Sequence, residues 1–140
     1  MNVIALPRPS ILDGLILLAD RLVDTGLAFI TSQLSKVAAQ PTNYYVGFGT
    51  SSASDLDTAT ALGTEVDSRA AATLSQQTGT VTNDTARYVA TLTAGATRAI
   101  VEAGLFDAST AGNMIVRSVF TVINLGSGDG ITFTIDIVFA

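Results

Sequence analysis

This chain has twelve acids and seven basic residues but no His and no Cys, which sets the chemistry open to it. Without imidazoles or thiols it cannot build a cysteine nucleophile, a Ser-His triad, a disulfide or an ordinary zinc site. Carboxylate chemistry remains. Two acids held across a cleft could cleave a glycosidic bond. Asp55 and Asp57 come nearest to such a pair, but they lie in a Ser/Ala/Thr-rich stretch where turn capping and solvation account for them. Gly126-Ser127-Gly128-Asp129-Gly130 suggests a phosphate or calcium loop. It lacks the Lys-Ser/Thr step of the first and the acid ligands of the second, so it reads as a strand-to-strand connection. No catalytic constellation, metal site or cofactor is expected.

One charged pair stands out for structure. Residues 98–106 and 113–123 are rich in β-branched and aromatic side chains and flank the turn-forming stretch Asp107–Asn113, a β-hairpin signature. Facing Phe106 with Asn113 places Leu105 opposite Met114, Ala103 opposite Val116 and Glu102 opposite Arg117. Opposite charges then meet across the strands, and cross-strand partners are the unit of sheet stabilisation. Glu102 and Arg117 are therefore expected to pin the register, since a one-residue slip flips every side chain to the other face.

The elements around the pair read as mainly β. Residues 1–9 form an extended N-terminal arm, because Pro7 and Pro9 flank Arg8 and block a helix. The arm's Val3, Ile4 and Leu6 need cover from their own domain or a neighbour. Ser10 with Asp13 resembles a capping box, and Leu15, Leu18 and Leu22 follow at helical spacing. Gly26 interrupts or ends that helix. A second helical piece, Leu27 to Ala38, carries Ile30, Leu34 and Val37 on one face, and Pro41 stops it. The helices over 10–39 are expected to lay their apolar stripe on a sheet.

Strands follow at Tyr44–Gly49, 70–81, Arg87–Ala94 and the hairpin. In the last strand Ile131, Phe133, Ile135, Ile137 and Phe139 alternate with Thr132, Thr134, Asp136 and Val138, as in an antiparallel sheet with one buried face. The expected fold is an antiparallel β-sandwich or jelly roll over residues 10–140, with an N-terminal helical segment.

A chain of 140 residues suits one domain. Hydrophobic residues make up 48% and charged residues 14%, with a mean hydropathy of +0.47. That apolar excess suggests burial against other subunits. A net charge of −5 argues against nucleic acid as a partner. Asp13, Asp20, Arg21 and Asp24 break the apolar run from Ile11 to Ile30, so no membrane span is expected. The start lacks the basic region and clean apolar core of a secretory signal.

Several segments also resemble a known group. They are Tyr45-Val46-Gly47-Phe48-Gly49-Thr50, Asp57-Thr58, Leu62-Gly63-Thr64-Glu65 with Arg69, Tyr88-x-Ala90-Thr91-Leu92-Thr93-Ala94, Glu102–Phe106, Met114 with Arg117, Phe120, and Gly128-Asp129 before the final strand. In order and spacing, from Leu15 to Phe139, they resemble structural proteins of tailed bacteriophages. The N-terminus, rich in prolines and aliphatics, departs from that pattern.

The resemblance implies a capsid cement (decoration) protein, a homodimer or homotrimer on the outer surface of the head. Such a protein binds the major capsid protein shell and stabilises the expanded head by non-covalent contacts. The alternative is a tail-fibre, baseplate or receptor-binding carbohydrate module of the tail. The lack of a visible shaft or repeat favours cement. Val3, Ile4, Leu6, Tyr44 and Phe48 are the expected contacts to capsid or neighbour. A sugar-binding module or a depolymerase is the alternative of another class, and the missing Trp and unpaired acids argue against both.

Overall fold

The computed structural model describes residues 11–13, 16–53 and 57–139, and only the backbone over 11–13 and 16–21. In chain order the elements are β1 (Ile11–Asp13), β2 (Ile16–Leu22), α1 (Asp24–Leu34), β3 (Tyr45–Gly49), β4 (Glu65–Ala71), β5 (Thr73–Gln77), β6 (Thr85–Thr93), β7 (Arg98–Phe106), β8 (Met114–Leu125) and β9 (Gly130–Val138). One sheet runs β1-β2-β8-β7-β3-β4 and the other β5-β6-β9, with antiparallel pairing throughout. This is the expected β-sandwich, but the six-plus-three division differs from a jelly roll of eight strands in two Greek keys.

The core lies between the sheets. Val46, Phe48, Ala103, Leu105 and Val116 project from one, and Ala90, Leu92, Phe133, Ile135 and Ile137 from the other, all buried. Full burial of each large aliphatic or aromatic side chain contributes about 1.5–3 kcal/mol, which makes this layer the main source of stability. The alternation read in β6 and β9 puts these residues inward, except that Phe139, just past β9, is 41% exposed. The stretch 70–81 is two strands rather than one. The chain changes sheets at buried Ala72, whose amide bonds the Tyr44 carbonyl at 2.8 Å. A strand that switches sheets at a corner is one way such sandwiches close.

The N-terminal region differs from expectation. Ile16–Leu22 is a strand, not a helix, and pairs antiparallel with Val116–Val119 of β8. An apolar run this short carries both periods, since Ile16, Leu18 and Leu22 fit a strand as well as a helix. The edge of β8 offers unpaired backbone groups, and β2 satisfies them. Ser10 and Leu15 lie outside the described residues.

Helix α1 begins only after Val23. It has no side-chain cap; the Asp24 amide bonds the Asp57 carbonyl at 2.8 Å, and the Thr25 hydroxyl donates to the Met114 carbonyl at 2.7 Å. Gly26 does not end the helix. It is buried inside it, where a Cβ would run into the Ile115 backbone. Phe29 packs edge-on to Tyr44 at 6.0 Å, and Tyr44 packs edge-on to Tyr88 of β6 at 5.1 Å. Burial pushes the Tyr88 hydroxyl pKa up to about 12, with Tyr44 adding to it. These contacts fix α1 by its Gly26/Phe29 side, which leaves Ile30 half-buried and the rest of the expected stripe exposed. Leu34 and Val37 are 80% and 82% exposed.

Candidate functional site

The outer face of the six-stranded sheet, away from the inter-sheet core, collects the charge. Its centre is bare of side chains. Gly47 pairs with Gly104 and Gly49 with Glu102 across β3 and β7, while Gly49 also pairs with Glu65 of β4 and Gly104 with Arg117 of β8. A Cβ at Gly49 would run into the Glu102 carboxylate and the Thr64 carbonyl. One at Gly47 would meet Glu65 and Arg69. Glycine here opens a trough in which longer charged side chains lie flat.

Glu102 and Arg117 fill the deeper part of the trough. Arg117 donates through Nε and Nη2 to Glu102 Oε2 at 3.2 and 2.8 Å, and their side chains are 3% and 0% exposed respectively. The hairpin forms, but its register differs from the expected one. Asp107 and Asn113 close the loop, with the Asp107 amide 3.2 Å from the Asn113 carbonyl. Phe106 therefore faces Met114, and an irregularity before Leu105 sets Leu105 opposite Val116 and Glu102 opposite Val119. The net slip is two residues, so the pair keeps a common face and closes on the diagonal.

The remaining acceptor capacity of Glu102 goes to the loop that follows β3. It accepts from the amides of Gly63 at 3.0 Å, Thr64 at 2.9 Å and Ser51 at 3.4 Å. Arg117 Nη2 lies 3.5 Å from the Ala53 carbonyl. The buried pair thus ties Ser51, Gly63 and Thr64 to the sheet, besides joining two strands.

Arg69 fills the shallower part. It forms a forked pair with Glu65 at 2.6 and 2.9 Å, and its Nη1 donates to the carbonyls of Ala108 and Ala111 at 2.9 and 2.8 Å. The guanidinium carbon lies 3.3 Å from the centre of the Phe106 ring. Planar five-donor geometry suits this combination of fork, carbonyls and ring stacking.

Other carboxylates are engaged as well. Asp67 sits in the β4 irregularity opposite β3 with φ of +58°. It pairs with Arg98 at 3.1 and 3.0 Å, and the Arg98 hydrogen bond holds its carboxyl below the usual range. Arg87 and Asp136 face each other across β6 and β9 and pair at 2.8 and 2.7 Å. Asp84 accepts from the amides of Gly79, Thr80 and Val81 at 2.7, 2.9 and 2.8 Å. Asp129 accepts from the Gly126 amide at 2.7 Å, as a turn residue does.

Two of the surface clefts lie beside these groups. One, of about 510 Å³, is lined by Glu65, Asp67, Arg69 and Thr110 among others. The other, of about 520 Å³, lies between α1 and the hairpin loop and includes Phe29, Asp107 and Asn113. Several of their polar groups are already engaged: Asn113 Nδ2 donates to Asp107 Oδ2 at 2.8 Å in one, and Arg69 holds Glu65 in the other. Among the described residues no cluster of three or more His, Cys, Asp or Glu could hold a metal, and no helix is long and apolar enough to cross a membrane.

The expected contact residues fare differently. Val3, Ile4 and Leu6 lie outside the described residues, as does Asp55. Tyr44 and Phe48 are 6% and 0% exposed. Both belong to the core, Phe48 on the central strand β3 and Tyr44, just before it, between Phe29 and Tyr88, so neither offers a surface to a neighbour. Glu65 and Arg69 were visible as a helix-like spacing of four, but they meet on a strand because the β4 irregularity brings them together. Arg87 and Asp136 could be found by matching the outward positions of β6 and β9. Nothing in the sequence marks Asp67, since its left-handed backbone arises from the sheet irregularity.

No curated protein matches the chain, and no solved structure does. Residues 28–138 match the family described as Podophage GP4 fiber I protein gp80. That span runs from within α1 to the end of β9 and contains the four Arg–carboxylate pairs described above. The chain therefore belongs to the podophage GP4 fiber I protein gp80 family and is a bacteriophage virion structural protein.

Proposed function

We propose that the chain is a fibre-type component of the virion, carried on the tail and acting by non-covalent contacts with neighbouring virion proteins and with copies of itself. The observation that carries this reading is the fibre family matched over residues 28–138. It favours the tail over the capsid-cement role that the sequence resemblance first suggested. A binding role also agrees with the chemistry of the two sheets, where Glu65, Glu102 and Asp67 of the larger and Asp136 of the smaller are each committed to an arginine. Groups so engaged are poor general acids or bases, and they hold loops on a rigid scaffold. A modest interface repeated along an assembly gains avidity without strong single contacts.

Labelling purified virions with an antibody to this chain, imaged by electron microscopy, tests the location. Label on the tail fibres is expected. Label spread over the head surface would overturn the fibre reading in favour of cement.

A further inference from the structure

We infer that the outward face of α1 is a self-association surface, pairing with the same helix of a second copy antiparallel about a two-fold axis. This rests on reading the chain as a repeated virion subunit and names the surface used.

The helix presents two different sides. Gly26 and Phe29 seat it on the sandwich, half-buried Ile30 borders that side, and Leu27 and Leu34, seven residues apart, share the outward face. A seven-residue step returns to the same face of a helix, as the seam of a paired helix requires. Leu27, Leu34 and Val37 are 44%, 80% and 82% exposed. The helix stops beyond Leu34 in a tight hydrogen-bonded cap. The Lys36 amide bonds the Gln33 carbonyl at 3.2 Å and the Val37 amide the Ser32 carbonyl at 3.0 Å, with Lys36 left-handed at φ +56°. This closure follows the Schellman pattern, whose residue after the left-handed position ordinarily packs back on the helix. Val37 instead stays exposed just past the helix end.

Charge chooses the partner and the direction. Asp24 lies at the start of the helix, and Lys36, the single lysine of the chain, just past its end. A two-fold axis near Ile30 brings Leu27 of one copy over Leu34 of the other. The same axis sets Asp24 beside the partner's Lys36 at both ends. The helix dipoles then run in opposite directions. A parallel arrangement would put like charges together. An isologous contact of this kind closes on itself as a dimer.

Sedimentation or light-scattering mass of the purified full chain tests the inference in solution, independently of where the protein sits on the virion. A dimer mass is expected, with Leu34→Asp halving it to the monomer while the circular dichroism melt is retained. Asp24→Lys should weaken the dimer, and adding Lys36→Asp should restore it. A wild-type monomer, an assembly larger than a dimer, or a dimer that survives Leu34→Asp overturns the proposal. Absence of tail label with a dimer intact would instead count against the fibre location alone.

Discussion

Arg117 stands opposite Gly104 across the β7–β8 ladder, yet its ion pair is with Glu102, two residues along, at 2.8 Å. The bare glycine lets the guanidinium lie flat and reach the carboxylate on the diagonal. The carboxylate in turn receives three loop amides. Removing one partner leaves a buried charge uncompensated, which costs about 3–5 kcal/mol. Arg117→Met is expected to lower stability by that order in chemical denaturation and to speed amide exchange at Gly63 and Thr64. A double replacement by apolar residues, Glu102→Leu with Arg117→Met, should cost less than Arg117→Met alone. Equal losses would show that the charge is not what matters at this position.

The sandwich was legible where burial is one-sided. In β6 and β9 alternate residues face the core, and a period of two shows this directly. The hairpin was legible as an element but not in register, because Asp107 and Asn113 close the loop one residue later than a simple count allows. The irregularity at Ile115 then shifts the strands again. Glu102 and Arg117 still reach each other, on the diagonal rather than directly opposite as expected, since a slip of two residues keeps both on one face. The first strands were not legible. Ile16–Leu22 becomes β because the edge of β8 requires a partner, and that is a tertiary fact. The second role of Glu102, as acceptor for Ser51, Gly63 and Thr64, had no local signal, because these backbone amides are 38 to 51 residues away.

Gly26 sets how closely α1 approaches the sheet. Any side chain there would meet the Ile115 backbone, which cannot swing aside as a flexible side-chain end can. The usual helix preference would make Gly→Ala stabilising in an open helix interior by about 0.5–1 kcal/mol. Here the sign reverses. Gly26→Ala is expected to destabilise by about 1–3 kcal/mol, as overpacking does, and to loosen the Phe29–Tyr44 contact. A thermal melt gives the first effect and near-ultraviolet dichroism of the aromatic cluster the second. A raised melting temperature would mean that α1 is free to shift outward.

Ser118 is fully buried, and its hydroxyl has no hydrogen-bond partner among the described residues. It faces Ala103 across the ladder, on the side of the sheet that packs into the core. An unsatisfied buried hydroxyl costs about 1–3 kcal/mol, and Ala removes it with little change of shape. Ser118→Ala should therefore raise the denaturation midpoint. A clear loss of stability would point to a buried water or a partner that the hydroxyl needs.

Acid should loosen the sheet ends before the core. The Val81 amide, followed by that of Gly79, holds the Asp84 carboxyl below its ordinary range. The Arg98 hydrogen bond does the same for Asp67. Since both folded values lie below the unfolded one, these groups favour folding most fully above about pH 3.9. The contribution fades as pH falls from there through the folded values. Asp84→Asn should melt lower than wild type near neutrality, with the gap narrowing below about pH 3.9. A gap that stays constant with pH would remove Asp84 from the acid response.

Arg69 joins three parts of the outer face through one planar group. Its fork holds Glu65 on β4, its Nη1 meets the Ala108 and Ala111 carbonyls of the hairpin loop, and its plane covers Phe106. The side chain is 7% exposed, so solvent screens it little. Ala111 and Gly112 both have positive φ, so the loop adopts an uncommon backbone that the two carbonyl contacts help to hold. Arg69→Lys keeps the charge but replaces the rigid fork by a compact ammonium, which cannot serve the carboxylate, both carbonyls and the ring at once. Hydrogen bonds to charged groups contribute about 1.5–3 kcal/mol, so the loss of one or two should register clearly in a denaturation curve. The more specific expectation concerns place. Amide exchange should rise across residues 107–113 while Gly63 and Thr64, held by Glu102, keep their protection. A uniform rise across both loops would mean that the two arginine sites form one cooperative unit, and an unchanged hairpin loop would assign its shape to Asp107 and Asn113 alone.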